Sequence, residues 1–159
     1  MLNLYVERMI RERGTIMGLL KAENVNDSEF DEQVKVCGTV EREADCLPVG
    51  KYRVCIGKCI YHRRKMPFLV PVDSSQCELC CKARHSHEFG DITAFTSLPC
   101  AMIQPGNGPF TMGRGSILVG EVHAPGYVLK SQPLFTTLYE RIKKAVWRGN
   151  VVTLEIKEM

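Results

Sequence analysis

Two groups of residues in this chain could do chemistry. The first lies in Met102–Gly120, M-I-Q-P-G-N-G-P-F-T-M-G-R-G-S-I-L-V-G, a glycine-rich stretch pinned between apolar runs. Pro105, Gly106 and Asn107 are turn chemistry, and Gly113 and Gly115 suit backbone at positive φ. A loop held between two strands in this way is a common setting for a site. Ser116 follows a glycine, but a serine hydroxyl attacks only with a strong base beside it. Gln104 cannot accept a proton near neutral pH, so it is no base. His123 is the nearest histidine in sequence and the one candidate substitute. The loop therefore reads as a binding or structural element rather than a working catalytic centre.

The second group is Cys77-Glu-Leu-Cys80-Cys81 followed by His85 and His87. A C-x-x-C pair sets two thiolates at the spacing of a zinc knuckle, and the two histidines could complete a tetrahedron. His85 and His87 are closer together than the usual H-x(3–5)-H, so Cys100 or Cys59 is an alternative ligand. Zinc, solvated thiols and oxidised thiols all stay open for this segment.

Two further cysteines, Cys37 and Cys55, alternate with apolar neighbours and share parity with Lys35 and Arg53. If that face is covered they are small buried hydrophobes; if it is open, a disulfide or a partner contact follows. The run Lys51–Lys65 carries six Lys/Arg and no acid, with Tyr52, Tyr61 and His62 interleaved. Phosphate pairing and base stacking would use such residues. A net charge of only +3 argues instead for a solvated strand face and a basic turn.

The elements that must position these residues are mostly strands. Period-2 alternation marks Leu2, Leu4 and Val6; Val34, Val36 and Val40; Tyr52, Val54 and Ile56; and Val152, Leu154 and Ile156. One helix is expected, with Ser131 as its N-cap, Pro133 in the first turn and Gly149 as terminator. Leu134, Leu138, Ile142 and Ala145 lie on its apolar face, and Glu140, Lys143, Lys144 and Arg148 lie mostly away from it. The fold class is thus α+β, mainly antiparallel β in a curved sheet or small barrel, with one C-terminal amphipathic helix.

A chain of 159 residues with 45% hydrophobic content is expected to form one domain, 1–159, with a real core. Ser74–Pro99 reads as a Cys/His-containing inserted loop. No apolar run approaches the ~20 residues of a membrane helix, and the N-terminus has no signal-peptide pattern. Eight cysteines without a secretion signal are expected to be mostly thiols or metal ligands. A cytoplasmic protein, or one built into a phage particle where exposed pairs could oxidise, is the expectation.

The glycine-rich stretch resembles the signature of a small family of bacterial and phage proteins, I-H-P-G-N, a short spacer, then G-C-I-L-V-G. Gln104 stands where that family has His, and Ser116 where it has Cys. The resemblance extends to L-N-L-Y-V-E-R leading into G-T-I-M-G-L-L at the N-terminus. It continues through C-L-P-V-G-K-Y-R-V (Cys46–Val54), the helix S-Q-P-L-F-T-T-L-Y-E-R-I and the closing V-V-T-L-E-I. The family's His and Cys distantly resemble the nucleophile arrangement of L,D-transpeptidases, whose thiolate cross-links peptidoglycan stems. The resemblance implies a degenerate member here. A non-catalytic structural or binding module is expected, in a virion, tail-like machine or secretion apparatus, with protein partners or self-assembly rather than a small-molecule substrate. The alternative is a peptidoglycan-active enzyme with a rewired site.

Overall fold

The computed structural model describes residues 1–24, 34–59, 62–72, 101–108 and 115–159. Among these residues nine strands run in the order β1 (Leu2–Glu12), β2 (Thr15–Asn24), β3 (Val34–Arg42), β4 (Gly50–Cys59), β5 (Arg64–Pro71), β6 (Ile103–Gln104), β7 (Ile117–Ala124), β8 (Tyr127–Leu129) and β9 (Val152–Glu158). One helix, α1 (Ser131–Trp147), separates β8 from β9. The strands form a curled, antiparallel-rich half-barrel in the order β5-β4-β9-β1-β2-β3-β7-β6, with β8 pairing on β7. Its outermost strands approach each other, for the Leu69 N–H donates to the Ala101 carbonyl at 2.9 Å. The described residues adopt the expected α+β class, with a single C-terminal α-helix among them. No helix among the described residues is long and apolar enough to cross a membrane.

The alternation in sequence sets the inner face. Leu2, Leu4 and Val6 of β1 and Val152, Leu154 and Ile156 of β9 are buried in one cluster with Phe135, Leu138, Tyr139 and Ile142 of α1. Strands β1 and β9, the two ends of the chain, pair in parallel, as do β6 and β7. The helix therefore closes the curl with an apolar stripe; Leu134 and Ala145 pack at its margin, while Phe135 and Tyr139 extend it.

At the helix start the structure differs from expectation. Ser131 is the first helical residue, and Lys130 before it takes a left-handed conformation at φ 54 with no side-chain cap. At the other end Gly149 has φ 78, its N–H bonds the Val146 carbonyl, and the Asn150 N–H bonds that of Ala145. Both bonds satisfy otherwise orphaned carbonyls, the pattern of a glycine-terminated helix.

Two bulges decide which residues face the core. On β1, Arg8 pairs with Gly18 and Ile10 with Met17, leaving Met9 extra. A Cβ at Gly18 would overlap the Glu7 carbonyl oxygen, so only glycine allows β1 and β2 to approach there. On β3, Lys35 pairs with Lys21 but Cys37 with Leu20, so Val36 is the extra residue. The parity expected from simple alternation flips at that point. Cys37 does not share the outer face of Lys35; it packs in the core beside Leu20. Glu41 is turned inward as well, onto Arg8, whose side chain is likewise buried.

Candidate functional site

The glycine-rich loop begins and ends in adjacent strands. Ile103 lies opposite Ile117 and Gln104 opposite Leu118 in the parallel β6–β7 pair. The Ser116 hydroxyl accepts the Met102 N–H at 3.3 Å. Gln104 and Ser116 are each only 1% exposed. The two positions thus both lie buried in the β6–β7 seam.

Beyond the seam, the loop is stitched to the helix and to β8. The Gly106 N–H donates to Ser131 Oγ at 2.9 Å, and that hydroxyl donates to the Val119 carbonyl at 2.6 Å. The Val128 N–H donates to the Asn107 carbonyl at 3.1 Å. Gly115 has φ 75, the left-handed region that favours glycine. Pro105, Gly106 and Asn107 therefore follow a bonded path, and Ser131 serves the loop instead of capping its own helix. Gly113 lies outside the described residues.

His123 belongs to β7, six residues beyond Ile117. At the rise of a strand this places it about 20 Å from the Ser116 end of β7. The zinc candidates Cys77, Cys80, His85 and His87, and the alternative Cys100, lie outside the described residues.

Three of the four described cysteines differ in environment, and Cys46 is a half-buried free thiol. Cys37 is a buried thiol whose pKa burial pushes up to about 11, with a backbone hydrogen bond and Lys35 opposing weakly. It behaves as a small core hydrophobe. Cys55 is disulfide-bonded. Cys59, at the end of β4, is completely buried, and its Sγ lies 3.2 Å from His62 Nδ1. Burial, with Arg64 adding to it, holds the His62 imidazole below the usual histidine range. Arg64 itself stacks over the α1 rings, 4.9 Å from the Tyr139 centroid and 5.6 Å from that of Phe135.

Reading Lys51–Lys65 as a basic face hid the Cys59–His62 pair, although C-x-x-H spacing was there to find. No reasoning from the sequence placed Arg8 either. Its guanidinium makes two bonds to Glu41, at 2.8 and 3.0 Å, and one of 2.6 Å to the Leu47 carbonyl. Glu158 joins this network from the surface and also binds Arg11.

A separate groove of about 390 Å³ opens on β1, β2, β3 and β7, lined in part by Met9, Ile10, Met17 and Val122, with Lys35 and Glu121 among its charged residues. The pair Gly38 and Gly120 lines it too, each so close to the β7–β8 hairpin that a Cβ would lie 2.8 Å from Val122 or Val128. None of Gln104, Pro105, Gly106, Asn107 and Ser116 lines this groove. Comparison with family models, curated proteins and solved structures finds no match to this chain.

Proposed function

We propose that this protein is a non-catalytic structural or binding module that works through protein contacts, as a component of a phage particle, tail-like machine or secretion apparatus. The observation that carries the reading is the packing at Gln104 and Ser116. Where the resembled family has an imidazole and a thiol, this chain has an amide and a hydroxyl, both 1% exposed. The hydroxyl is engaged by the Met102 N–H. An acyl-transfer nucleophile needs an adjacent base, and neither the amide of Gln104 nor the hydroxyl of Ser116 is a base near neutral pH.

The contact half of the reading is supported by the groove. Met9 and Ile10 beside it are 50% and 54% exposed. Apolar side chains gathered around an open groove suit a protein segment better than a polar metabolite, and methionine adapts readily to such a ligand.

The test uses peptidoglycan fragments and an apolar dye. Incubation with purified stem peptides should leave their chromatographic profile unchanged. An environment-sensitive dye should bind the folded protein and bind at least several-fold more weakly to Ile10→Asp. New cross-linked or cleaved stem peptides would contradict the proposal, as would dye binding that Ile10→Asp leaves untouched.

A further inference from the structure

Trp147 is the last residue of α1 and is 85% exposed, more than any other large apolar residue among those described. An indole left in water forgoes one of the largest burial gains open to a side chain. Val146 beside it and Val151 just beyond the Gly149 turn are 37% and 41% exposed. This end of the helix is held in place. The Gly149 N–H bonds the Val146 carbonyl, the Asn150 N–H bonds that of Ala145, and the Val151 carbonyl accepts the Leu2 N–H at 3.4 Å.

Cations surround the indole. Lys143 and Lys144 precede Trp147 by four and three residues, so they are its neighbours on the helix surface. Lys143 Nζ lies 6.0 Å from the Trp147 ring centroid, and Arg148 follows directly. Residues 141–154 hold four Lys/Arg and no acid. None of Arg141, Lys143, Lys144 and Arg148 enters an ion pair among the described residues. Glu140, the nearest acid in sequence, is exposed one turn earlier. Cations at a helix C-terminus complement its dipole, which accounts for the charge but not for the exposed indole.

A nucleic-acid surface would stack successive bases on several aromatics along a groove. Here a single indole stands with two valines at the end of a helix. An anionic bilayer uses both halves of that arrangement. Tryptophan settles at headgroup level, apolar neighbours reach the acyl boundary, and Lys and Arg meet the negative surface. We propose that the C-terminal end of α1, centred on Trp147 with Lys143, Lys144 and Arg148, docks peripherally on an anionic lipid surface. The groove on β1, β2, β3 and β7 shares no residue with this surface.

Trp147 is the single tryptophan of the chain, so its fluorescence reports on this spot alone. The full chain is titrated with vesicles of phosphatidylcholine, and with vesicles that also contain phosphatidylglycerol. With the anionic vesicles the emission should shift to the blue and become shielded from acrylamide, and added salt should weaken the effect. Neutral vesicles should leave it nearly unchanged. In co-sedimentation, Lys144→Gln/Arg148→Gln should bind anionic vesicles about tenfold more weakly or worse, since each cation near such a surface counts for roughly fivefold. Trp147→Ser should bind at least several-fold more weakly. Both variants change exposed side chains and should keep the wild-type melting temperature, which separates lost docking from lost folding. No shift with anionic vesicles overturns the proposal, as does equal binding to neutral ones. Undiminished binding by either variant overturns it equally. Quenching of the indole by a single-stranded oligonucleotide, with vesicles inert, would assign the surface to nucleic acid instead.

Discussion

Ser131 Oγ accepts the Gly106 N–H at 2.9 Å and donates to the Val119 carbonyl at 2.6 Å, so one hydroxyl joins the glycine-rich loop, strand β7 and the first turn of α1. Removing it leaves a buried carbonyl and a partly buried N–H without that partner. Ser131→Ala should cost about 1–3 kcal/mol in chemical unfolding. Gly115→Ala should also destabilise, by about 1 kcal/mol, because φ there is 75. A Ser131→Ala variant as stable as wild type would mean the loop is not held through this bond.

The buried face of α1 gives a second comparison. Leu138 is in the core, so Leu138→Ala should destabilise by about 2–5 kcal/mol. Lys144 is exposed, and Lys144→Ala should cost less than about 0.5 kcal/mol. Equal losses would place the wrong face against the sheet.

The Arg8–Glu41 pair is buried on both sides, whereas Arg11 reaches Glu43 and Glu158 at the surface. Breaking a buried pair strands a charge, so Glu41→Gln should cost about 3–5 kcal/mol. Arg11→Ala should cost no more than about 1 kcal/mol. If the two variants unfold at the same denaturant concentration, the network is not the anchor it is drawn to be.

Cys37 sets a pH dependence with a definite sign. Its thiol is raised from 9.0 to about 11 in the fold, so between those values the unfolded chain has lost a proton that the native state keeps. Stability from this group is complete below pH 9 and is lost as pH rises towards 11. Wild type should therefore lose stability more steeply than Cys37→Ala across pH 9–11. Parallel curves for the two proteins would contradict the burial assigned to this thiol.

The strands at both chain ends were legible because Leu2-Leu4-Val6 and Val152-Leu154-Ile156 keep strict alternation and the sheet buries one face. The helix was legible for the same reason, with Gly149 marking its end. What alternation cannot carry is a bulge. One extra residue at Val36 turned Cys37 and Glu41 inward, and nothing local in V-K-V-C-G-T-V-E announces it. Nor does local pattern name a strand's partner, so the parallel pairing of β1 with β9 and the docking of Arg8 on Glu41 emerge only in three dimensions. Ser131 shows the same limit: its type suggested a cap, and long-range geometry gave it a different bond. The Cys59–His62 pair was hidden for another reason, since charge in the surrounding run drew attention to phosphate binding instead of ligand spacing.

The central claim is that the seam holding Gln104 and Ser116 performs no acyl transfer. Intact-mass measurement after incubation with carbapenem and fluorophosphonate probes tests it most directly. An unchanged mass is expected, because the hydroxyl is buried and engaged by the Met102 N–H, and Gln104 stands where an imidazole base would be needed. A stoichiometric adduct on Ser116, lost in Ser116→Ala, would contradict it.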